Sequence, residues 1–127
     1  MYVALMHDGM STHRKFKPVL KFWIESDGKR VIGKGGAAIL EQIKRDGSIS
    51  RAAENLKMSY RYVWDYLDEA RGAVGEPLVE TFKGGKRGGG GARLTKMGEY
   101  LLSEYTRVSK RLKKLENSEV GGEFRED

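Results

Sequence analysis

Two short helical patterns lie almost end to end in this chain, with alanines where they would cross. No other feature restricts the fold as tightly. Ser50 is a good cap for a helix that turns Ala52, Ala53 and Leu56 inward. Ser59 can cap a second helix in which Val63, Leu67 and Ala70 recur at spacings of four and three. The alanines permit close approach, and Leu56, Met58 and Val63 supply the small core beneath the crossing. The pattern is a helix-turn-helix. It leaves Tyr60, Arg61, Trp64 and Asp65 on the outer side of the second helix. A face built only for solubility favours Glu and Lys, so the aromatic and arginine content points to a ligand. The spacing alone serves an ordinary helical hairpin as well as a DNA reader. One residue opposes the motif: the left-handed position of such a turn suits glycine, and Lys57 stands there. A side chain in that conformation costs about 1 kcal/mol; in return the lysine can reach a phosphate.

Downstream, Leu78 to Phe82 reads as a strand and Ala92-Arg93-Leu94 as its partner. Between them lies a segment that is nearly all glycine and base. From Lys83 to Arg93 there are four basic residues, Lys83, Lys86, Arg87 and Arg93, and no acid, in a chain of net charge +6. A nucleotide-phosphate loop needs Ser or Thr after its Gly-Lys, whereas Lys86 is followed by Arg87 and Gly33-Lys34 by Gly35. The other chemical reading is a wing. Glycine lets backbone approach a phosphate, and Lys86 and Arg87 bring charge. A flexible solvated hairpin tip is the bland alternative. Thr95 then caps a long helix whose apolar positions are Met97, Leu101, Tyr105, Val108, Leu112 and Leu115. From Leu101 the steps run four, three, four, three, a heptad seam. Near Met97 and Leu101 this helix must pack on its own domain. Further along, the seam of Leu101, Tyr105, Val108, Leu112 and Leu115 is expected to form a homodimer interface.

Upstream, residues 1–17 show no sustained period and are expected to be a loose arm. A hairpin is expected over about 19–33, turning at Asp27-Gly28. A helix over about 36–46 should turn Ala38, Ile39, Gln42 and Ile43 inward and end at Asp46-Gly47. The expected organisation is a winged helix-turn-helix at 18–95, a dimerisation helix at 96–116 and a disordered acidic tail at 117–127. The fold class is mainly α with small β (α+β).

The chain has 127 residues, enough for one domain with a modest core. It has no cysteine, which excludes disulfides and thiolate metal sites. Its only histidines, His7 and His13, lie in the arm, and no carboxylates stand at metal-ligand spacing. No catalytic constellation is visible, so neither an enzyme nor a cofactor is expected. There is no apolar run long enough for a bilayer and no secretory signal. A cytoplasmic, nucleoid-associated protein without a membrane partner is expected.

Several segments together resemble a known family. These are Gly47-Ser48-Ile49-Ser50, Ser59-Tyr60-Arg61, Trp64-Asp65, Leu78-Val79-Glu80, the glycine run from Gly84 to Ala92, and Leu94-Thr95-Lys96-Met97-Gly98. They are similar to the N-terminal DNA-binding domain of the molybdate-dependent (ModE-type) transcriptional regulators, over about residues 36–105. Residues 47–67 also resemble the helix-turn-helix of LysR-type regulators, which lack this glycine-rich wing. The resemblance implies a homodimeric winged helix on an inverted-repeat operator. Full-length members of the family add C-terminal domains that bind molybdate. Here only a short acidic tail follows Leu115, so molybdate binding by this chain is not expected.

In such a complex the expected DNA-binding residues are Arg51, Lys57, Ser59, Tyr60, Arg61, Trp64, Lys83, Lys86, Arg87 and Arg93. Arg61 is the candidate for a base, because guanidinium fits guanine bidentately. Ser59 and Tyr60 suit phosphate or base edges. Arg51 and Lys57 suit phosphates, and Lys86 and Arg87 the flanking backbone or minor groove. Trp64 has two roles open to it, stacking on a sugar or thymine methyl and packing at the helix crossing. An architectural chromatin protein, binding DNA with little sequence preference, would use the same features.

Overall fold

A computed structural model describes residues 13–84, 90–118 and 123–126. Three short strands come first, β1 (His13–Lys15), β2 (Ile24–Ser26) and β3 (Lys29–Ile32). Three helices follow, α1 (Lys34–Asp46), α2 (Ile49–Leu56) and α3 (Tyr60–Val74). Strands β4 (Val79–Phe82) and β5 (Gly91–Leu94) lead into the long α4 (Lys96–Ser118), and β6 (Glu123–Arg125) comes last. The architecture is mainly α with small sheets: a winged helix-turn-helix followed by a long helix. The chain divides into two compact units, Phe22–Ser109 and the pair of segments up to Lys21 and from Lys110.

In the larger unit, Asp27 and Gly28 both take positive φ, 49° and 77°, and close the β2–β3 hairpin. Ile24 opposes Ile32 and Ser26 opposes Lys29, with a bulge between Ile24 and Glu25. Pairing starts at Ile24 rather than at Val19 because the preceding aromatics have other partners. Phe22 stacks on Tyr105 of α4 with ring centroids 4.6 Å apart. The Trp23 indole donates to the Glu25 carboxylate at 2.7 Å, and the Arg30 guanidinium lies 4.8 Å over its ring.

Helix α1 starts at Lys34 and buries Ala37, Ile39, Leu40 and Ile43. The expected inward face is therefore rotated: Ala38 is only half-buried, and Gln42 donates to Asp46. Tyr66 sets the rotation. Its ring fills the space where a Cβ on Gly36 would sit, and its hydroxyl donates to the Val31 carbonyl at 2.9 Å. Burial pushes the Tyr66 phenol up to about 12.

Gly47 ends α1 in the left-handed conformation, φ 66°. The cap of α2 is then Ser48, not Ser50. Ser48 is extended and its Oγ accepts from the Arg51 amide at 3.2 Å. The reason is Ile49, which enters the core as the first helical residue and leaves Ser48 as the half-in position. Ala52 and Ala53 are buried, in one core cluster with Val63, Leu67 and Ala70 of α3. Asp46 straps the corner, accepting from Gln42 Nε2 at 2.9 Å and Asn55 Nδ2 at 2.8 Å. Those two bonds, helped by the charges of Arg45 and Arg51, hold its carboxyl below the usual range.

Val79 opposes Leu94 and Phe82 opposes Gly91 in the antiparallel β4–β5 pair. Thr95 caps α4 through Oγ1, which accepts from the Gly98 amide at 3.1 Å and donates to the Pro77 carbonyl at 2.8 Å. Gly98 lies directly on the Leu78 carbonyl, where a Cβ would collide with backbone. One turn on, Leu101 and Leu102 are both buried in the domain's own core. Leu101 was expected in a dimer seam; its place in the core removes it from any such seam.

In the smaller unit β1 and β6 pair antiparallel, with Arg14 opposite Phe124. The Leu20 amide donates to the Glu116 carboxylate at 2.6 Å. Residues 13–15 and 123–125, expected within a loose arm and a disordered tail, are thus strands of one small sheet.

Two stability measurements follow. Gly98→Ala is expected to lower stability by about 1–3 kcal/mol, as overpacking does; a urea midpoint equal to wild type would show that Leu78 can move aside. Asp46 titrates below its unfolded value, so its contribution is present above about pH 4 and fades as pH falls through the folded pKa. Asp46→Asn, which cannot titrate, should therefore be less stable than wild type at pH 7. The gap between their urea midpoints should narrow toward pH 3, and a constant gap would mean that the charge is not what the strap needs.

Candidate nucleic-acid interface

The turn between α2 and α3 is closed by backbone alone. The Met58 amide donates to Ala53 O at 2.9 Å and the Lys57 amide to Glu54 O at 3.0 Å. This closure demands a left-handed residue, and Lys57 takes φ 58° and ψ 39°. The position where glycine would be easiest thus holds an exposed cation. Ser59 follows in extended conformation, its side chain accepting from the Tyr62 amide at 3.0 Å. The cap fixes the start of α3 at Tyr60 and so decides which side chains its first turns present.

That face carries Tyr60, Arg61 and Asp65, all exposed, opposite the buried Val63 and Leu67. Arg51, Lys57, Arg61 and Lys83 are exposed and make no ion pair among the described residues. Trp64 takes the packing position of the two roles open to it, with its other role untouched by these contacts. It is half-buried against the core and also meets Tyr60 edge-on, with ring centroids 6.2 Å apart.

Arg93 is placed differently from the other cations. It stands directly across from Glu80 in the β4–β5 register and forms a 2.7 Å ion pair with it, while its guanidinium lies 4.9 Å from the Phe82 ring centroid. Both partners are more than half solvated or close to it, so the pair contributes little stability. It does give the Arg93 charge a partner that Arg61 lacks. Lys86 and Arg87 lie outside the described residues.

The base of the wing is fixed to the helix-turn-helix. The Ala92 amide donates to the Gly47 carbonyl at 2.9 Å, so β5 hangs on the residue that ends α1. Glycine at 91 lets the Phe82 ring lie across the backbone; a Cβ there would meet both the ring and Gly47 O. The result is an open hollow of about 280 Å³ between the start of α2, the outer face of α3 and the wing strands. Tyr60, Trp64 and Phe82 line it with Ser50, Thr81 and Ala92. Phe82 was not among the residues expected at the site. Its signal was the strand period, which puts positions 80 and 82 on one face beside Arg93.

Among the described residues no cluster of three or more His, Asp or Glu side chains could hold a metal ion, and no helix is long and apolar enough to cross a membrane. The site is one of cations, hydroxyls and aromatic rings on a capped helix beside a hairpin.

Comparison with known proteins agrees with this geometry. Residues 37–99 match the family described as bacterial regulatory helix-turn-helix protein, lysR family. The chain is 38% identical over 92 residues to the molybdenum transport protein ModE of Azotobacter vinelandii, covering 68% of this chain and 34% of that protein. It is 46% identical over 68 residues to the transcriptional regulator ModE of Yersinia pestis, covering 54% of this chain and 26% of the relative. It is 41% identical over 68 residues to the DNA-binding transcriptional dual regulator ModE of Escherichia coli K12, with the same coverage of 54% and 26%. The chain thus spans about a third or less of the length of these curated relatives. Residues 37–99 are a helix-turn-helix domain of the lysR type, and over this part of the chain its relatives include ModE proteins.

Proposed function

We propose that this chain is a sequence-specific transcriptional regulator that binds double-stranded DNA as a homodimer, with α3 in the major groove and the wing on the flanking backbone or minor groove. The observation that carries the reading is Arg61. It stands exposed in the first turn of a capped helix, beside Tyr60, and makes no ion pair among the described residues. A helix entering the major groove end-on presents that turn to base edges, and guanidinium on guanine is the commonest specific contact there. Arg51, Lys57 and Lys83 suit phosphates, with Lys86 and Arg87 of the wing. Arg93, engaged by Glu80, suits a different task, holding Phe82 in place.

Leu101 is taken by the core, so the dimer seam is proposed along the later part of α4. Tyr105 is half-covered by Phe22, Val108 and Leu112 are half-buried, and Leu115 is 45% exposed. These positions keep heptad spacing, which suits a second α4. A two-fold dimer would set its reading helices on half-sites roughly 34 Å apart.

If about six cations meet phosphates, affinity should fall roughly a thousandfold between about 50 and 200 mM salt. Arg61→Ala should flatten the preference for one sequence over another, and Lys86→Ala should weaken all sequences alike. Equal sequence profiles for wild type and Arg61→Ala, measured by binding-site selection, would remove Arg61 from base reading. An enrichment of no motif by the wild-type chain would turn the reading toward an architectural protein. For the dimer, sedimentation is expected to show a two-chain species at micromolar concentration that Leu112→Asp with Leu115→Asp converts to monomer. A wild-type chain that sediments as a monomer would end the dimer proposal.

A further inference from the structure

We infer that the hollow between α3 and the wing receives the C5-methyl group of a thymine, so that Tyr60, Trp64 and Phe82 together impose a thymine preference on the bound site. The inference rests on the DNA-reading assignment above and adds to it a contact that is not a hydrogen bond.

No residue lining the hollow is charged, and Tyr60, Trp64 and Phe82 bring three aromatic rings to it beside the hydroxyls of Ser48, Ser50 and Thr81. The cations are outside it: Arg51 follows Ser50, Arg61 follows Tyr60, and Lys83 follows Phe82 in the chain. A concavity with an aromatic part, flanked in sequence by the exposed Arg51, Arg61 and Lys83, fits a polyanion that carries an apolar group close to its charges. B-DNA presents one such group in the major groove. Every other feature of the base edges there is a hydrogen-bond donor or acceptor, and thymine alone adds a methyl. The deoxyribose also has carbon-rich faces, but it lies on the backbone. Two of the three rings, Tyr60 and Trp64, belong to the first two turns of α3, the part that faces base edges in this mode of docking. Their edge-to-face arrangement leaves ring surface turned into the hollow, and Phe82 closes its wing side. A volume of about 280 Å³ admits the methyl with the edge of the pyrimidine that bears it.

The experiment uses the full chain and a duplex enriched by binding-site selection. Each dT is replaced singly by dU, which removes the methyl and keeps every hydrogen-bonding group. Loss of one buried methyl should weaken binding about fourfold at one or two positions in each half-site. In Tyr60→Ser and Phe82→Ser the dT and dU duplexes should bind alike, whatever the absolute affinity. These two side chains are 54% and 44% exposed, so the fold should survive, as circular dichroism would show. Trp64, which also packs on the core, is left intact. Equal binding of all dU duplexes by wild type would overturn the inference. So would a dU penalty that persists unchanged in both variants, since the methyl would then be read elsewhere. Selection of no preferred duplex would likewise overturn it while leaving DNA binding in place. Failure to bind any duplex would reject the DNA-reading assignment itself.

Discussion

The crossing of α2 over its neighbours at Ala52 and Ala53 is the contact on which the other parts of the domain depend. Both residues are covered completely or nearly so, and their short side chains set how closely the helices approach. That distance decides where α3 stands, because only Lys57, Met58 and Ser59 separate the two helices. It also decides where the wing stands, because Gly47, one residue before the α2 cap, holds β5 by its carbonyl. A larger side chain at either alanine would displace α3 and the wing base together. Packed interiors transmit such changes rather than absorb them.

Much of this was legible in the sequence, and the errors have physical causes. The helix-turn-helix could be read because two amphipathic periods and a Ser59 cap agree with one another. Lys57 could be placed at a left-handed position because the turn length demands one there, whatever residue occupies it. The cap of α2 was misassigned because Ser48 and Ser50 are both good caps locally. Only the burial of Ile49, a tertiary fact, decides between them. The inward face of α1 was rotated for a similar reason: the position of Gly36 under Tyr66 depends on a contact thirty residues away in sequence. The β1–β6 pairing joins the two ends of the chain, where no local period announces a strand.

The site was partly legible. The outward face of α3 followed from periodicity: Tyr60, Arg61 and Asp65 are exposed on it, while Trp64 is half-buried. Counting cations near the glycine run placed Arg93 with Lys83, although cross-strand register gives it Glu80 as a partner. Phe82 was overlooked because an aromatic in a strand pattern ordinarily belongs to the core. Here glycine at 91 lets its ring lie outward over the backbone. Charge and aromatic content are visible in a sequence, but the pairing that decides which of them is free belongs to the folded chain.

The caps and the strap have a consequence for the entropy of association. Ser48 and Ser59 already hold the first turns of α2 and α3, and Asp46 already ties α1 to α2, with no partner bound. Neither helix start needs to order on contact. The conformational freedom left to lose at this face lies in long side chains such as Arg61, Arg51 and Lys83, at about 0.5–1.5 kcal/mol for each one immobilised. A helix-turn-helix of this kind carries its backbone order with it, so a partner docking on this face would immobilise only a few side chains.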